Sequence, residues 1–269
     1  MMSFSIFENE EQALKKLAEK IGILRDIEFA QKDRNYQLKA LENILKKISA
    51  IPYENITKHI NRKLISPHDI IYGFEKWGTG ATCFPLVYLL KRILDFCHIE
   101  SRIILADRTY AQRSHTLVLV QIKDKTYIAD IGFLVFSPIE VSEKSVIASL
   151  PQGDILFSLS GNTLEAYTVF RNGHKKFRYK AYIDKVDKDD FISAWEESYN
   201  LEMMNHVIVS KLVGKNIIYI RDNFVHFIED GVSKNLKMQK EEVLKLVESI
   251  GIDKKLFSDV WQYLLNPNQ

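Results

Sequence analysis

Gly78-Thr79-Gly80-Ala81-Thr82-Cys83-Phe84-Pro85-Leu86-Val87-Tyr88-Leu89-Leu90 is the stretch on which the reading of this chain turns. Two glycines in three residues interrupt whatever precedes them. The run that follows, with Phe84, Leu86, Val87, Leu89, Leu90, Ile93, Leu94 and Phe96 all apolar, is too long and too continuous for a strand. It predicts a buried helix with Cys83 in its first turn. At that end the helix dipole is positive and favours a thiolate, so position alone is expected to lower the thiol's pKa.

Upstream the texture is helical. Ala13, Leu14, Leu17, Ile21 and Leu24 form a stripe with charges opposite. A second periodic run, residues 36–48, ends near Ile51-Pro52, where proline removes a donor. Ser66-Pro67, followed by His68 and Asp69, reads as a serine cap with proline at the first helical position, opening a helix to Trp77.

Downstream of Ile99 the pattern changes to short β-rich segments at 102–106, 116–122, 127–130, 155–159, 167–171 and 177–183, with Asn172-Gly173 as a hairpin turn. A helical patch from Asp189 to Tyr199 follows. Then come strand-like runs at 207–213, 216–220 and 224–228, and closing helices at 240–250 and 255–265. Helices first, strands next and a mixed tail argue for an α+β chain, divided at 1–98, 99–200 and 201–269.

The composition narrows the class. Of 269 residues 46% are hydrophobic, enough for a sizeable core, and 37 basic against 35 acidic residues leave a net charge of +2, which gives no basic face for nucleic acid. The chain opens MMSFSIFENEEQALKK, without a basic start and apolar run, and no stretch approaches eighteen uncharged apolar residues. A soluble, cytoplasmic protein acting on small molecules, as monomer or homodimer and away from membranes, is expected. Cys83 and Cys97 lie several helical turns apart, too far for a disulfide, and free thiols suit a reducing compartment.

The chemistry is carried by three residues together. His115 precedes the apolar strand Thr116-Leu117-Val118-Leu119-Val120, and Asp130 closes Tyr127-Ile128-Ala129. A turn at Lys123-Asp124-Lys125 would pair those strands and bring His115 and Asp130 together at the hairpin's open end. A carboxylate in that apolar setting needs a donor, and the imidazole supplies one. Singly, Cys83 reads as a small buried hydrophobe, His115 as a structural histidine and Asp130 as a turn former. In this order and context they read as a nucleophile, its base and the base's orienting group.

These residues resemble the arylamine N-acetyltransferase family, whose pattern is a cysteine after paired glycines, then His, then Asp in Asp-x-Gly-Phe; here they are Cys83, His115 and Asp130-Ile131-Gly132-Phe133. Ile51-Pro52-Tyr53-Glu54-Asn55-Ile56 is similar to the family's Pro-Phe-Glu-Asn-Leu segment, and Leu94-Asp95-Phe96, Asp190-Phe191 and Glu241-Glu242-Val243-Leu244 to Gly251-Ile252 resemble later stretches. The resemblance implies a helical bundle carrying the cysteine, an antiparallel β-barrel carrying His and Asp, and an α/β lid. It also implies transfer of an acetyl group from acetyl-coenzyme A, a cosubstrate and not a resident cofactor, through an acyl-cysteine to an arylamine, arylhydroxylamine or hydrazine nitrogen. Substrate-lining roles fall to Phe84, Thr116, Gly132, Phe133 and Leu134.

The chain departs from the family in places. The family reads Arg-Gly-Gly-x-Cys-Phe-Glu where this chain has Thr79 and Pro85 for the two charged residues, and Leu134 stands for its second glycine after the aspartate. Transglutaminase-like or cysteine-protease-like amide chemistry is the runner-up, since Gly78-Thr79-Gly80-Ala81-Thr82-Cys83 also suits that approach to a nucleophile. An amide synthase of the same family and a silent binding protein are the remaining readings, the last opposed by the intact trio.

Other candidates are weaker. Cys97-His98 reads as packing, and His59, His68, His174, His206 and His226 lack ligand spacing, so no metal is expected. Lys211, Lys215 and Arg221 could meet a cofactor phosphate or form a solvated face. The Cys83 N–H is a candidate oxyanion donor.

Overall fold

The computed structural model describes residues 4–61, 63–170, 172–229 and 232–266. Helix α1 (Glu10–Ile21) buries the stripe of Ala13, Leu14, Leu17 and Ile21 and stops at Gly22, in the left-handed conformation (φ 73°). The stripe that continued to Leu24 in sequence therefore breaks there, because that glycine accepts the C-cap geometry, and α2 (Leu24–Lys32) starts anew. After α3 (Gln37–Ile48), β1 (Tyr53–Glu54) and α4 (Ile56–Asn61) comes α5 (Pro67–Trp77). Ser66 and Asp69 form a reciprocal capping box at its start, as the sequence predicted. Gly78 ends it at φ 66°, where a Cβ would stand 1.8 Å from the Gly251 carbonyl oxygen. Helix α6 (Cys83–Phe96) follows and is buried along most of its length.

Eight antiparallel strands come next: β2 (Glu100–Arg108), β3 (Ala111–Ile122), β4 (Lys125–Asp130), β5 (Val135–Val141), β6 (Val146–Leu150), β7 (Gly153–Ser160), β8 (Thr163–Val169) and β9 (Lys175–Tyr182). They form one sheet in the order β5-β4-β3-β2-β9-β8-β7-β6, whose edge strands β5 and β6 follow one another in the chain, so the sheet nearly closes into a barrel. Sequence reading missed β5 and β6. Pro138 demotes the first, and proline is tolerated there because β5 is an edge. Strand β8 runs earlier than the expected 167–171, and Arg171 lies outside the described residues.

Helix α7 (Lys188–Ser198) leads to β10 (Ile208–Val213), β11 (Asn216–Arg221), β12 (Phe224–Glu229) and β13 (Val232–Lys237), then to α8 (Lys240–Ser249) and α9 (Lys254–Leu265). The second sheet has the order β1-β10-β11-β12-β13, so the Tyr53–Glu54 segment joins the carboxy-terminal strands. The architecture is α+β, with an amino-terminal helical layer, an antiparallel barrel and a second α/β unit. None of the described helices is long and apolar enough to cross a membrane.

Strand β3 positions the site. Val118, Val120 and Ile122 face the helical core with Phe84, Leu90 and Trp195, whereas Leu117 and Leu119 face the barrel interior with Ile104, Ile128 and Phe157. Burial on both faces explains a continuous apolar run. His115 shares the alternation of Leu117 and Leu119, and Asp130 that of Ile128, so both stand on the barrel-interior side at its rim.

Candidate active site

Strands β3 and β4 pair with Val118 opposite Ala129 and turn through Lys123 and Asp124. His115 and Asp130 thus meet at the open end, where His115 Nε2 lies 3.0 Å from both carboxylate oxygens of Asp130. Both side chains are fully buried. The β4–β5 pairing shifts register between Ile128 and Asp130, and Asp130 Oδ1 also accepts the Phe133 N–H at 3.0 Å, which fixes the turn 131–133 beneath it. The Tyr179 ring, centred 4.9 Å from the imidazole, closes the barrel side.

Cys83 is the first residue of α6 and is 6% exposed. Gly132 is the hinge of the arrangement. A Cβ built on it would fall 2.5 Å from Cys83 Cβ and 3.2 Å from both Cys83 Cα and His115 Cε1, so only glycine lets the helix start and the imidazole close on the same point.

The ring's protonation follows from its partners. An ionised Asp130 only accepts and the Arg108 guanidinium only donates, so Nε2 carries the hydrogen and Nδ1, 3.1 Å from Arg108 Nη2, presents its lone pair. Burial lowers the His115 pKa, Asp130 raises it and Arg108 lowers it again. The helix start does not win at the thiol. Burial pushes Cys83 up to about 11, against the lowering by Arg108 and by the Phe84 and Cys83 N–H groups. This corrects the expected low thiol pKa: removing a thiolate from water outweighs the helix dipole. The resting pair is a neutral thiol and a neutral imidazole. Among the described residues no hydrogen bond joins Cys83 to His115, as Arg108 holds Nδ1.

The segment before the helix is unusual. Glu54 is fully buried and accepts from Thr57 N (3.0 Å), Thr57 Oγ1 (2.6 Å) and Gly80 N (2.9 Å), tying β1 to the glycine turn. Burial raises its pKa and these donors pull it back. Thr79, where the family keeps arginine, is buried with its hydroxyl unpartnered. Pro85 is tolerated because it lies in the first helical turn. Thr82 makes no side-chain cap bond.

The remaining expected residues fall as follows. Phe84 is fully buried with its ring 5.5 Å from Phe191, so it is spent on the helical core. Thr116 is buried and its hydroxyl donates to the Ile104 carbonyl. Phe133 meets Tyr179 edge-on and carries the Arg178 guanidinium 5.7 Å from its ring centre. Leu134 adopts φ 59°, ψ 31°, a left-handed conformation that costs a leucine about 1–2 kcal/mol and explains why a glycine fits there. Lys211 is committed to the Ile250 carbonyl and Arg221 to His206, while Lys215 belongs to the β10–β11 turn. His206 in turn bonds Asp222. Cys97 is a buried free thiol at the end of α6. A cavity of about 1170 Å³, lined by Arg34, Lys91, Asp95, Arg102, Leu119 and Lys185 among others, includes none of Cys83, His115 and Asp130. Among the described residues no cluster of His, Cys, Asp or Glu could hold a metal ion.

Sequence reasoning missed Arg108 and Tyr179. Each contacts the imidazole from a different strand, and no spacing signature announces a contact across strands.

A family model described as N-acetyltransferase matches residues 37–255. This defines an enzyme of the acetyltransferase class; more narrowly, the chain belongs to the arylamine N-acetyltransferase family. No curated protein matches the chain in sequence. Among solved structures, the arylamine N-acetyltransferase from Mycobacterium abscessus aligns with a TM-score of 0.74 at 15% identity, covering 94% of this chain and 98% of that one. The enzyme from Salmonella typhimurium aligns at 0.69 and 17%, covering 84% and 91%. The Bacillus cereus arylamine N-acetyltransferase, reported with a Cys-His-Glu catalytic triad, aligns at 0.65 and 16%, covering 80% and 91%. At these identities the likeness speaks for the fold.

Proposed function

We propose that this protein transfers an acetyl group from acetyl-coenzyme A to an arylamine, arylhydroxylamine or hydrazine nitrogen, with Cys83 as nucleophile, His115 as base and Asp130 as the group that orients the base. The observation that carries this reading is the doubly held His115, whose Nε2–H is fixed on Asp130 so that Nδ1 is the nitrogen left to take a proton, with Gly132 packed against both the ring and the helix start at Cys83.

In the first half-reaction the Cys83 proton moves to His115 Nδ1, and sulfur attacks the thioester carbonyl. The tetrahedral intermediate collapses to an acetyl-cysteine, and the leaving coenzyme A thiolate takes the proton back from the imidazolium. Because the resting thiol is neutral, thiolate forms only as the base accepts its proton. Asp130 stabilises the imidazolium that results. The Cys83 and Phe84 N–H groups, uncapped by Thr82, are available to the oxyanion. In the second half-reaction the amine attacks the acetyl-cysteine, His115 removes a proton from the nitrogen and returns it to the sulfur. The enzyme is expected to work in the cytoplasm on these small molecules.

Steady-state rates at several fixed acceptor concentrations against acetyl-coenzyme A test the two-step scheme. Parallel double-reciprocal lines are expected; intersecting lines would mean a ternary complex and overturn it. Hydrolysis of an amide with no acceptor present would favour the runner-up amide chemistry.

A further inference from the structure

Arg108 is a cation without an anion. It lies near the end of the β2–β3 ladder, opposite Ala111 and just past a register shift that follows the Ala106–His115 pair. Nη1 donates to the Tyr110 hydroxyl at 3.2 Å and Nη2 to His115 Nδ1 at 3.1 Å. Its Nε is fully buried and has no acceptor. The adjacent carboxylate, Asp107, is committed to the Arg113 N–H and the Tyr182 hydroxyl, and Arg108 forms no ion pair among the described residues. The titratable groups that face it are Cys83, Tyr53, Tyr110, Arg178, Tyr179 and, beyond the imidazole, His115's partner Asp130. A buried guanidinium N–H without an acceptor is costly, and an anionic group would complete it best.

The shape of the unmet need names the ligand. Nε–H and the Nη2 hydrogen on the same side form the two-pronged edge that a carboxylate accepts with both oxygens. A thiolate or a single oxyanion would take one prong and leave the other unpaired. We propose that Arg108 determines substrate specificity by gripping, through its Nε and Nη2 edge, a carboxylate carried by the acyl group or by the acceptor amine. Nη2 then leaves His115 Nδ1, and the base becomes free for the Cys83 proton. An anionic substrate thereby switches on the nucleophile it approaches. This rests on Cys83 and His115 acting as described above.

The test begins with a probe that needs no acyl transfer. Iodoacetate and iodoacetamide alkylate thiols alike and differ in a carboxylate against an amide, and their rates at Cys83 can be read by intact mass. Relative to the same ratio for glutathione, wild type is expected to favour iodoacetate by at least about tenfold. Arg108→Gln should return the ratio to that of glutathione, and Arg108→Lys, which keeps charge without the fork, should fall between. An equal ratio in wild type and glutathione overturns the proposal. So does an equal acceleration of both reagents in Arg108→Gln, which would leave Arg108 as a cap on the imidazole and nothing more. If Arg108→Gln does not fold, wild type, glutathione and Arg108→Lys still decide. A second arm compares acylation of Cys83 by acetyl- and succinyl-coenzyme A, and discharge of acetyl-enzyme by aniline and 4-aminobenzoate. An Arg108-dependent preference assigns the carboxylate to the acyl group or to the amine; none in either step overturns the proposal. Failure of every thioester to acylate Cys83, with the iodoacetate preference intact, would instead count against the acyl-transfer reading.

Discussion

Replacing Gly132 by alanine tests the contact that brings helix, strand and barrel rim together. The new methyl would stand 2.5 Å from Cys83 Cβ, where carbon atoms prefer about 3.5–4.0 Å, so a separation of about 1 Å must open. The neighbours cannot yield by rotating a side chain. Cys83 Cα and Cβ are anchored in the first turn of α6, and His115 Cε1 belongs to a ring held by Asp130 and Arg108. The shift therefore separates nucleophile from base. Misplacement by about 1 Å costs on the order of 10²-fold in rate, and overpacking costs about 1–3 kcal/mol of stability. The assay is kcat/KM for acetyl transfer beside the thermal midpoint. Gly132→Ala at wild-type rate and midpoint would refute the geometry. A lowered midpoint with full activity would show that the methyl is accommodated without moving the reacting groups.

Other expectations follow from the same contacts. Asp130→Asn should lower acetyl transfer by roughly two to four orders of magnitude, since an amide can offer the imidazole the wrong partner; a rate within twofold of wild type would remove Asp130 from its role. Glu54→Ala strips the acceptor from three donors and should lower stability by about 2–4 kcal/mol, read by denaturant unfolding; an unchanged midpoint would show that the β1–turn tether is dispensable. The iodoacetamide rate at Cys83 should climb steadily from pH 7 through pH 9, because burial raises the thiol toward about 11 while burial lowers the His115 pKa and keeps the ring neutral above its ordinary range. A plateau below pH 7 would mean a pre-formed thiolate–imidazolium pair and contradict the resting state described.

Much of this was legible in the chain because local chemistry agreed with the fold. Ser66-Pro67 and Gly78 bracket α5 where the sequence placed it, and the Cys83 run forms the buried helix expected of it. The His115–Asp130 meeting followed from a turn expected at Lys123-Asp124-Lys125, which the structure tightens to Lys123 and Asp124 while still bringing the two together. What escaped the sequence was non-local. Edge strand β5 hid behind Pro138, whose cost vanishes only where no neighbour needs its N–H. Arg108, just past a register shift, and Tyr179, across the barrel, reach the imidazole by contacts that no periodicity encodes. The Cys83 thiol was misjudged for a related reason: the helix dipole is visible in a sequence, and the depth of burial that outweighs it is not.

The most direct test of the central claim is intact-protein mass after mixing with acetyl-coenzyme A and no acceptor, wild type beside Cys83→Ala. One acetyl adduct on wild type, absent from the variant and discharged on adding an arylamine, is the predicted result. A folded wild-type protein that stays at its unmodified mass, or an adduct that persists in Cys83→Ala, would contradict it.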